Sequence, residues 1–254
     1  MANIIQPERG ALAAGQGLSY WLGTKFINSA LAMLPAAAQN LKAAIDARSF
    51  DVPGGSISVA PGANRFVGVE AGRSRYRVTD DHIAIVPVGG MLIDRGPWLG
   101  DLYGFATTYE GLCEQFRRIE LDASIKAVLL DIDSPGGMVS GLFDLCDEIT
   151  ALDKKKPVYA VAQNMACSAA YAIAASARDL YVTRNGQAGS IGVITIHQSM
   201  QRMLDSIGLD TTIIHAGSHK ADGNIFQQLS HTARADMAEG VDRIYSQFVK
   251  IGRA

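Results

Sequence analysis

Ser168 stands in NMACSAAYAIAASA (164–177), beside Cys167 and ahead of a run of small apolar residues. A serine hydroxyl becomes a nucleophile only when a base takes its proton. No acid or base lies within this stretch, so the base must come from elsewhere in the chain. The residue types that qualify are His197, His215, His219, His231 and Lys220, the last in the Gly-flanked loop GSHKADGN (217–224). A lysine works as a base only where burial lowers its pKa toward neutrality. The competing reading of Ser168 is structural, because a serine at a helix start is a good N-cap. Cys167 is a rival nucleophile by type. Its neighbours are Ala166 and Ser168, which do nothing to activate a thiol, so it reads as small buried filler.

Acyl transfer also needs donors for an oxyanion. The stretch DSPGG (133–137) follows an apolar strand and precedes a helix. Pro135 fixes φ, and the two glycines let the backbone approach a ligand closely. Exposed amides at a strand-to-helix turn suit an oxyanion, although an ordinary tight turn has the same composition. Asp131 and Asp133 alternate on the preceding strand. They read as a turn cap and a paired neighbour rather than as a metal site. No CxxC or Cys/His cluster suggests zinc, and neither metal nor cofactor is expected.

The elements that must position these groups alternate along the chain. HIAIVPVGGML (82–92) is strand-like, and TTYEGLCEQFRRIEL puts Tyr109, Leu112, Cys113, Phe116 and Ile119 on one helical face. KAVLLDIDSPGG (126–137) reads as a buried strand ending in a Gly turn. Val139, Leu142, Phe143, Cys146 and Ile149 mark a second amphipathic helix. Lys154 to Lys156 read as its solvated end, where cations are favourable. There follow strand PVYAVA, helix SAAYAIAASA, strand DLYVT, turn NGQAGS, strand IGVITI, helix QSMQRMLDSIG, strand TTIIHA, the GSHKADGN loop and a helix from about 231 to 250. Such alternation, with nearly continuous apolar strands, predicts an α/β fold with a mainly parallel sheet and helices on its faces.

Composition sets the outer limits. The chain has 254 residues, 48% hydrophobic and 19% charged, enough to bury a sizeable core. The net charge of −2 gives no drive toward nucleic acid or anionic membrane. Three cysteines without paired spacing argue against a disulfide framework. Residues 1–50 are Ala-rich and are expected to form a helical arm. Residues 51–75 carry the Gly, Pro and Ser of a linker, and the catalytic domain is expected over 76–254. MANIIQPERG is not a secretory signal. Lys25, Asn28 and Pro35 interrupt the apolar stretch near it, so no membrane span is expected.

In chain order, KAVLLDIDSPGGMVSG, NMACSAAYAIAASA, GSIGV and GSHKADGN resemble the signal peptide peptidase A family of serine peptidases. Within that family they are most similar to the lambda-type phage capsid assembly (prohead) proteases. The resemblance covers about residues 76–250. It implies a crotonase-like and Clp-protease-like spiral of βαβ units and a Ser/Lys dyad. Carried over by position, Ser168 is the nucleophile and Lys220 the general base. Gly137 supplies one oxyanion amide, Ala169 a second, and Ser190 of GSIGV a hydroxyl that holds the lysine. The implied function is endopeptidase cleavage of scaffold, portal or the chain itself during prohead maturation in the host cytoplasm. The implied partners are phage scaffold, portal and capsid proteins and further copies of the chain. Family members have further segments after the last helix, so the sequence is expected to be a shortened one.

Other readings remain at this stage. A bacterial signal-peptide peptidase would share the dyad. A Clp-type Ser/His/Asp peptidase would use His197 as base with Asp205 to orient it. A crotonase-like acyl-CoA enzyme would use the same backbone amides but leaves Ser168 and Lys220 without a role. An inert, scaffold-associated assembly protein would need none of this chemistry.

Overall fold

The computed structural model describes residues 31–33, 76–95 and 106–251. The expected linker at 51–75 lies outside the described residues. So does most of the expected N-terminal arm. Within that arm Leu31–Met33 is a β-strand, β1, rather than a turn of helix.

The sheet is mainly parallel, as the alternation predicts. Its central order is β2 (Arg77–Val78), β3 (Ile83–Ile93), β5 (Ala127–Met138), β6 (Val158–Cys167) and β7 (Asp179–Val182). β4 (Ala106–Thr108) pairs with β3, and β8 (Gln187–Gly189) pairs with β6. β3, β5, β6 and β7 run parallel, whereas β2 is antiparallel to β3.

Register turns the strand pattern into a core. Ala84, Val128 and Val158 lie side by side across β3, β5 and β6, followed by Val86, Leu130 and Ala160, then Val88, Ile132 and Ala162. All nine are fully buried. Helices α1 (Tyr109–Leu121), α2 (Leu142–Asp153) and α3 (Ala169–Ala175) contribute Leu112, Phe116, Ile119, Leu145, Ile149, Ala172 and Ile173 to the same cluster. Of the predicted α1 face, Cys113 is only half-buried and Gln115 is buried instead. The alternate positions on the strands, such as Ile85, Leu129 and Tyr159, are half-buried among the described residues. Nearly continuous apolar strands had implied two covered faces; the buried rows belong to one.

The Lys154–Lys156 cluster does more than meet solvent. Lys156 Nζ donates to Ile119 O and Asp122 O, each at 2.5 Å, and so closes the C-terminus of α1. Two predicted strands do not form. Residues 191–196 hold a single isolated bridge, and 211–216 hold no strand. Each pattern is apolar enough for a strand but lacks a ladder partner among the described residues. Part of the predicted NGQAGS turn is itself strand β8. Helices α4 (Gln201–Ser206) and α5 (His231–Ile251) complete the order, with Phe248 of α5 buried in the core. No helix among the described residues is long and apolar enough to cross a membrane.

Candidate active site

β5 does not end at its glycines. DSPGGM stays within the strand to Met138, with Gly136 at φ 102°, and the next helix starts after Gly141, whose φ is 79°. The reason is a set of clamps on β5. Ser134 is fully buried; its Oγ donates to Gly90 O at 2.7 Å and accepts from Gly136 N at 3.1 Å. Tyr109 Oη donates to Met138 O at 2.5 Å. Burial holds the Tyr109 phenol well above its usual pKa of 10, so it remains a donor. Gly137 packs so closely on β3 that a Cβ built on it would lie 1.8 Å from Leu92 O. No side chain fits there. The candidate oxyanion amide is therefore carried on a strand edge, not on a helix-start turn as the sequence suggested.

Ser168 follows the last residue of β6 and precedes α3. Its backbone has φ 56° and ψ −118°, and its side chain makes no capping bond. The structural N-cap reading thus finds no support. A β-carbon is costly in this region of φ/ψ, and such strain persists only where the surrounding structure imposes it. Here Ser168 N donates to Gly189 O at 2.7 Å, tying the residue to β8. Ser168 Oγ reaches Gly192 O at 3.4 Å. Residue exposure is 1%. A sharp strand-to-helix turn of this kind is how α/β hydrolases present a nucleophilic serine.

Register relates the two strands. Ser134 pairs with Ala166 across β5 and β6. Ala169, at the first position of α3, has an N–H with no partner inside the helix. Asp133 Oδ2 accepts from Asn164 Nδ2 at 2.7 Å beside this junction, which bears out a paired role for Asp133.

The thiol rival is weakened. Burial pushes the Cys167 thiol above its ordinary pKa, which lowers its thiolate fraction and its reactivity.

None of the described hydrogen bonds joins Ser190 or Lys220 to the Ser168 hydroxyl, which reaches Gly192 O instead. Ser190 is exposed, with φ 56°. Lys220 is exposed in a chain of turns, and none of the described side-chain bonds joins it to Ser168. Its loop is nonetheless held. His219 Nδ1 meets Asp222 Oδ2 at 2.8 Å and Asp236 Oδ2 of α5 at 3.7 Å. The hydrogen bond and charge of Asp222, with Asp236 behind it, raise the His219 pKa. His197 directs Nε2 to Asn224 O at 3.0 Å, not to Ser168, and so buttresses the same loop.

Sequence reasoning missed Ser134 and Tyr109 as positioning groups. Ser134 was visible as a lone hydroxyl in an apolar strand. Tyr109 looked like core, and nothing in its spacing pointed to Met138.

Residues 150–251 match the model of peptidase family S49. The head-tail preconnector protein GP5 of Enterobacteria phage P21 is 37% identical over 79% of this chain and 39% of that protein. Capsid assembly protease C of Escherichia phage lambda is 36% identical over 66% of this chain and 38% of that protein. Protease 4 of Salmonella typhi is 25% identical over 83% of this chain and 35% of that protein. The chain thus spans less than half the length of these relatives. Among solved structures, an enoyl-CoA hydratase/carnithine racemase from Magnetospirillum magneticum is similar at a TM-score of 0.32. It is 14% identical over 74% of this chain and 82% of that one.

Proposed function

The chain carries a peptidase family S49 domain, matched over residues 150–251, and from that premise we propose that it is a serine endopeptidase of phage capsid maturation. Its substrates are scaffold, portal or capsid proteins and its own chain, inside the assembling prohead in the host cytoplasm. The observation that carries the reading is Ser168, buried at 1% exposure and held at a positive φ at the end of β6, the strand beside β5. Nothing structural requires a serine at such an angle, whereas glycine would adopt it freely.

In this reading neutral Lys220 takes the Ser168 proton as Oγ attacks the scissile carbonyl. The N–H groups of Gly137 and Ala169 stabilise the tetrahedral oxyanion. Lys220 then protonates the leaving amine, and water releases the acyl group. The Ser190 hydroxyl holds the lysine. A lysine base needs a desolvated environment, and Lys220 is exposed on this single chain. The working form is therefore a homo-oligomer in which a further copy covers the Lys220 loop.

The test is mass spectrometry of products from scaffold and capsid proteins co-expressed with wild type, Ser168→Ala, Lys220→Ala and His197→Ala chains. Cleavage is expected for wild type and His197→Ala, and lost in the other two. If Ser168→Ala and Lys220→Ala cut like wild type, the dyad assignment is wrong. If only His197→Ala and Ser168→Ala are dead, the base is His197.

A further inference from the structure

Strand β1 is antiparallel to the end of β5, with Leu31 opposite Met138, Ala32 opposite Gly137 and Met33 opposite Gly136. A strand has two edges. On one edge of β5, β3 still pairs at Gly136 and Gly137, through Met91 and Leu92. The other edge belongs to β6, whose pairing with β5 ends at Ser134 and Ala166. β1 therefore takes the edge that β6 vacates as its chain turns through Ser168 into α3. That is the space between the β5 glycines and the nucleophile.

Polarity along β5 sharpens the placement. Met138 O accepts from Tyr109 Oη, and Tyr109 follows β4, which lies on the β3 side. Gly136 N is occupied by Ser134 Oγ. On the edge away from β3, Ala32 is the register partner of Gly137, so the backbone of Ala32 lies alongside the residue assigned the oxyanion amide. A polypeptide bound here as an added strand would present a carbonyl to the same amide. The 1% exposure of Ser168 fits a groove already filled.

We propose that Leu31–Met33 is a built-in substrate mimic: it occupies the groove for an extended polypeptide strand along Gly136–Met138 and competes with peptides bound in trans. The proposal rests on the peptidase reading for what the groove is used for, but not for its occupancy. Occupancy lowers the apparent affinity for an outside peptide by the fraction of molecules whose groove is open. A minor open state of about 0.1–10% makes that at least tenfold.

The test compares two full-length chains, each carrying Ser168→Ala so that nothing is cut. One retains Ala32 and the other carries Ala32→Pro, which removes the backbone N–H of the residue opposite Gly137 and bars a regular strand there. The probe is a fluorescein-labelled peptide of residues 28–36, NSALAMLPA, read by anisotropy. Hydrogen exchange at residues 136–138 is followed in parallel. The Ala32→Pro chain is expected to bind the probe at least tenfold more tightly. Its amides at 136–138 should exchange faster, and the probe should protect them again. Equal affinities, or unchanged exchange, overturn the proposal. A peptide carrying proline at the position of Ala32 should bind neither chain; if it binds as well as the probe, the strand geometry is wrong. With Ser168 intact, Ala32→Pro should lower KM for a peptide substrate and leave kcat unchanged. If neither chain cuts any peptide while the binding difference holds, the peptidase reading fails and the occupied groove stands.

Discussion

The backbone at Ser168 offers a measurement independent of any substrate. At φ 56° and ψ −118° a non-glycine residue is strained by roughly 1–3 kcal/mol. Ser168→Gly releases that strain, against about 0.5–1 kcal/mol of extra backbone freedom that glycine loses on folding. Ser168→Ala deletes the same hydroxyl but keeps the β-carbon and its strain. The lost hydrogen bond, at 3.4 Å to Gly192 O, is weak and common to both variants. The difference between the two variants is therefore the strain less the extra entropy of glycine. Ser168→Gly should be the more stable by about 1 kcal/mol, which for a chain of this size shifts Tm by roughly 2–4 °C. Urea unfolding followed by circular dichroism, at one pH and one protein concentration, reads the difference as a higher midpoint with an unchanged slope. An alanine variant as stable as the glycine variant, or more so, would falsify the claim that the fold holds this residue against its own preference.

Three further outcomes follow from the same geometry. Gly137→Ala must push β5 away from Leu92, since the new Cβ would sit 1.8 Å from a backbone oxygen; the loss should reach about 3 kcal/mol or more in chemical denaturation, and a loss below 1 kcal/mol would show that the strands are not packed this closely. Lys156→Met removes two hydrogen bonds from the C-terminus of α1 and should cost about 1–2 kcal/mol, against no measurable change for Lys154→Met; equal effects would count against the cap. His219, whose pKa is raised by Asp222 and then Asp236, should titrate above 6.5 by NMR. Its pairing should hold the loop fully below that value and be lost as pH rises through the raised pKa. Asp222→Asn should bring the midpoint down, and an unmoved midpoint would show that Asp222 is not its partner.

Much of the fold was legible because the strands of the core write their register into the sequence. AVLLDI and VYAVA alternate apolar residues that meet in rows across β3, β5 and β6. The helical spacing of Leu112, Phe116 and Ile119 survives intact. Where prediction failed, the missing information was a partner. IGVITI and TTIIHA have the composition of strands, but a strand is stable only when its backbone groups are paired, and sequence does not say whether a neighbour is present. Ile214 of the second is 94% exposed. The DSPGG error has another cause. Glycine and proline signal a turn, yet here Ser134 Oγ and the Tyr109 hydroxyl fasten the segment into strand β5. Both are long-range contacts that local pattern cannot hold. Ser168 was legible as a residue at a helix start; its φ was not.

This distribution of rigidity bears on how the proposed reaction would be controlled. Gly137 lies on β5, and Ser168 stands at the turn that ends the adjacent parallel strand β6. They are fixed by the β5–β6 register, the Gly189 carbonyl and the Ser134 and Tyr109 hydroxyls. Groups tied to strands hold their geometry better than groups on loops, so in the proposed reaction Ser168 and the Gly137 amide are placed before substrate arrives. The proposed base is placed differently. Lys220 lies in exposed turns, held at one side by His219 with Asp222 and Asp236, and at the other by His197 and Asn224. On the proposed reading, a change in that loop acts on the position of the base and not on the groove. It should shift the pH dependence and kcat of cleavage while leaving peptide affinity intact. A change at Ala32 should do the reverse. If Asp236→Asn weakened binding of the 28–36 peptide as much as it slowed cleavage, the groove and the base loop would be one mechanical unit, and this division of labour would be wrong.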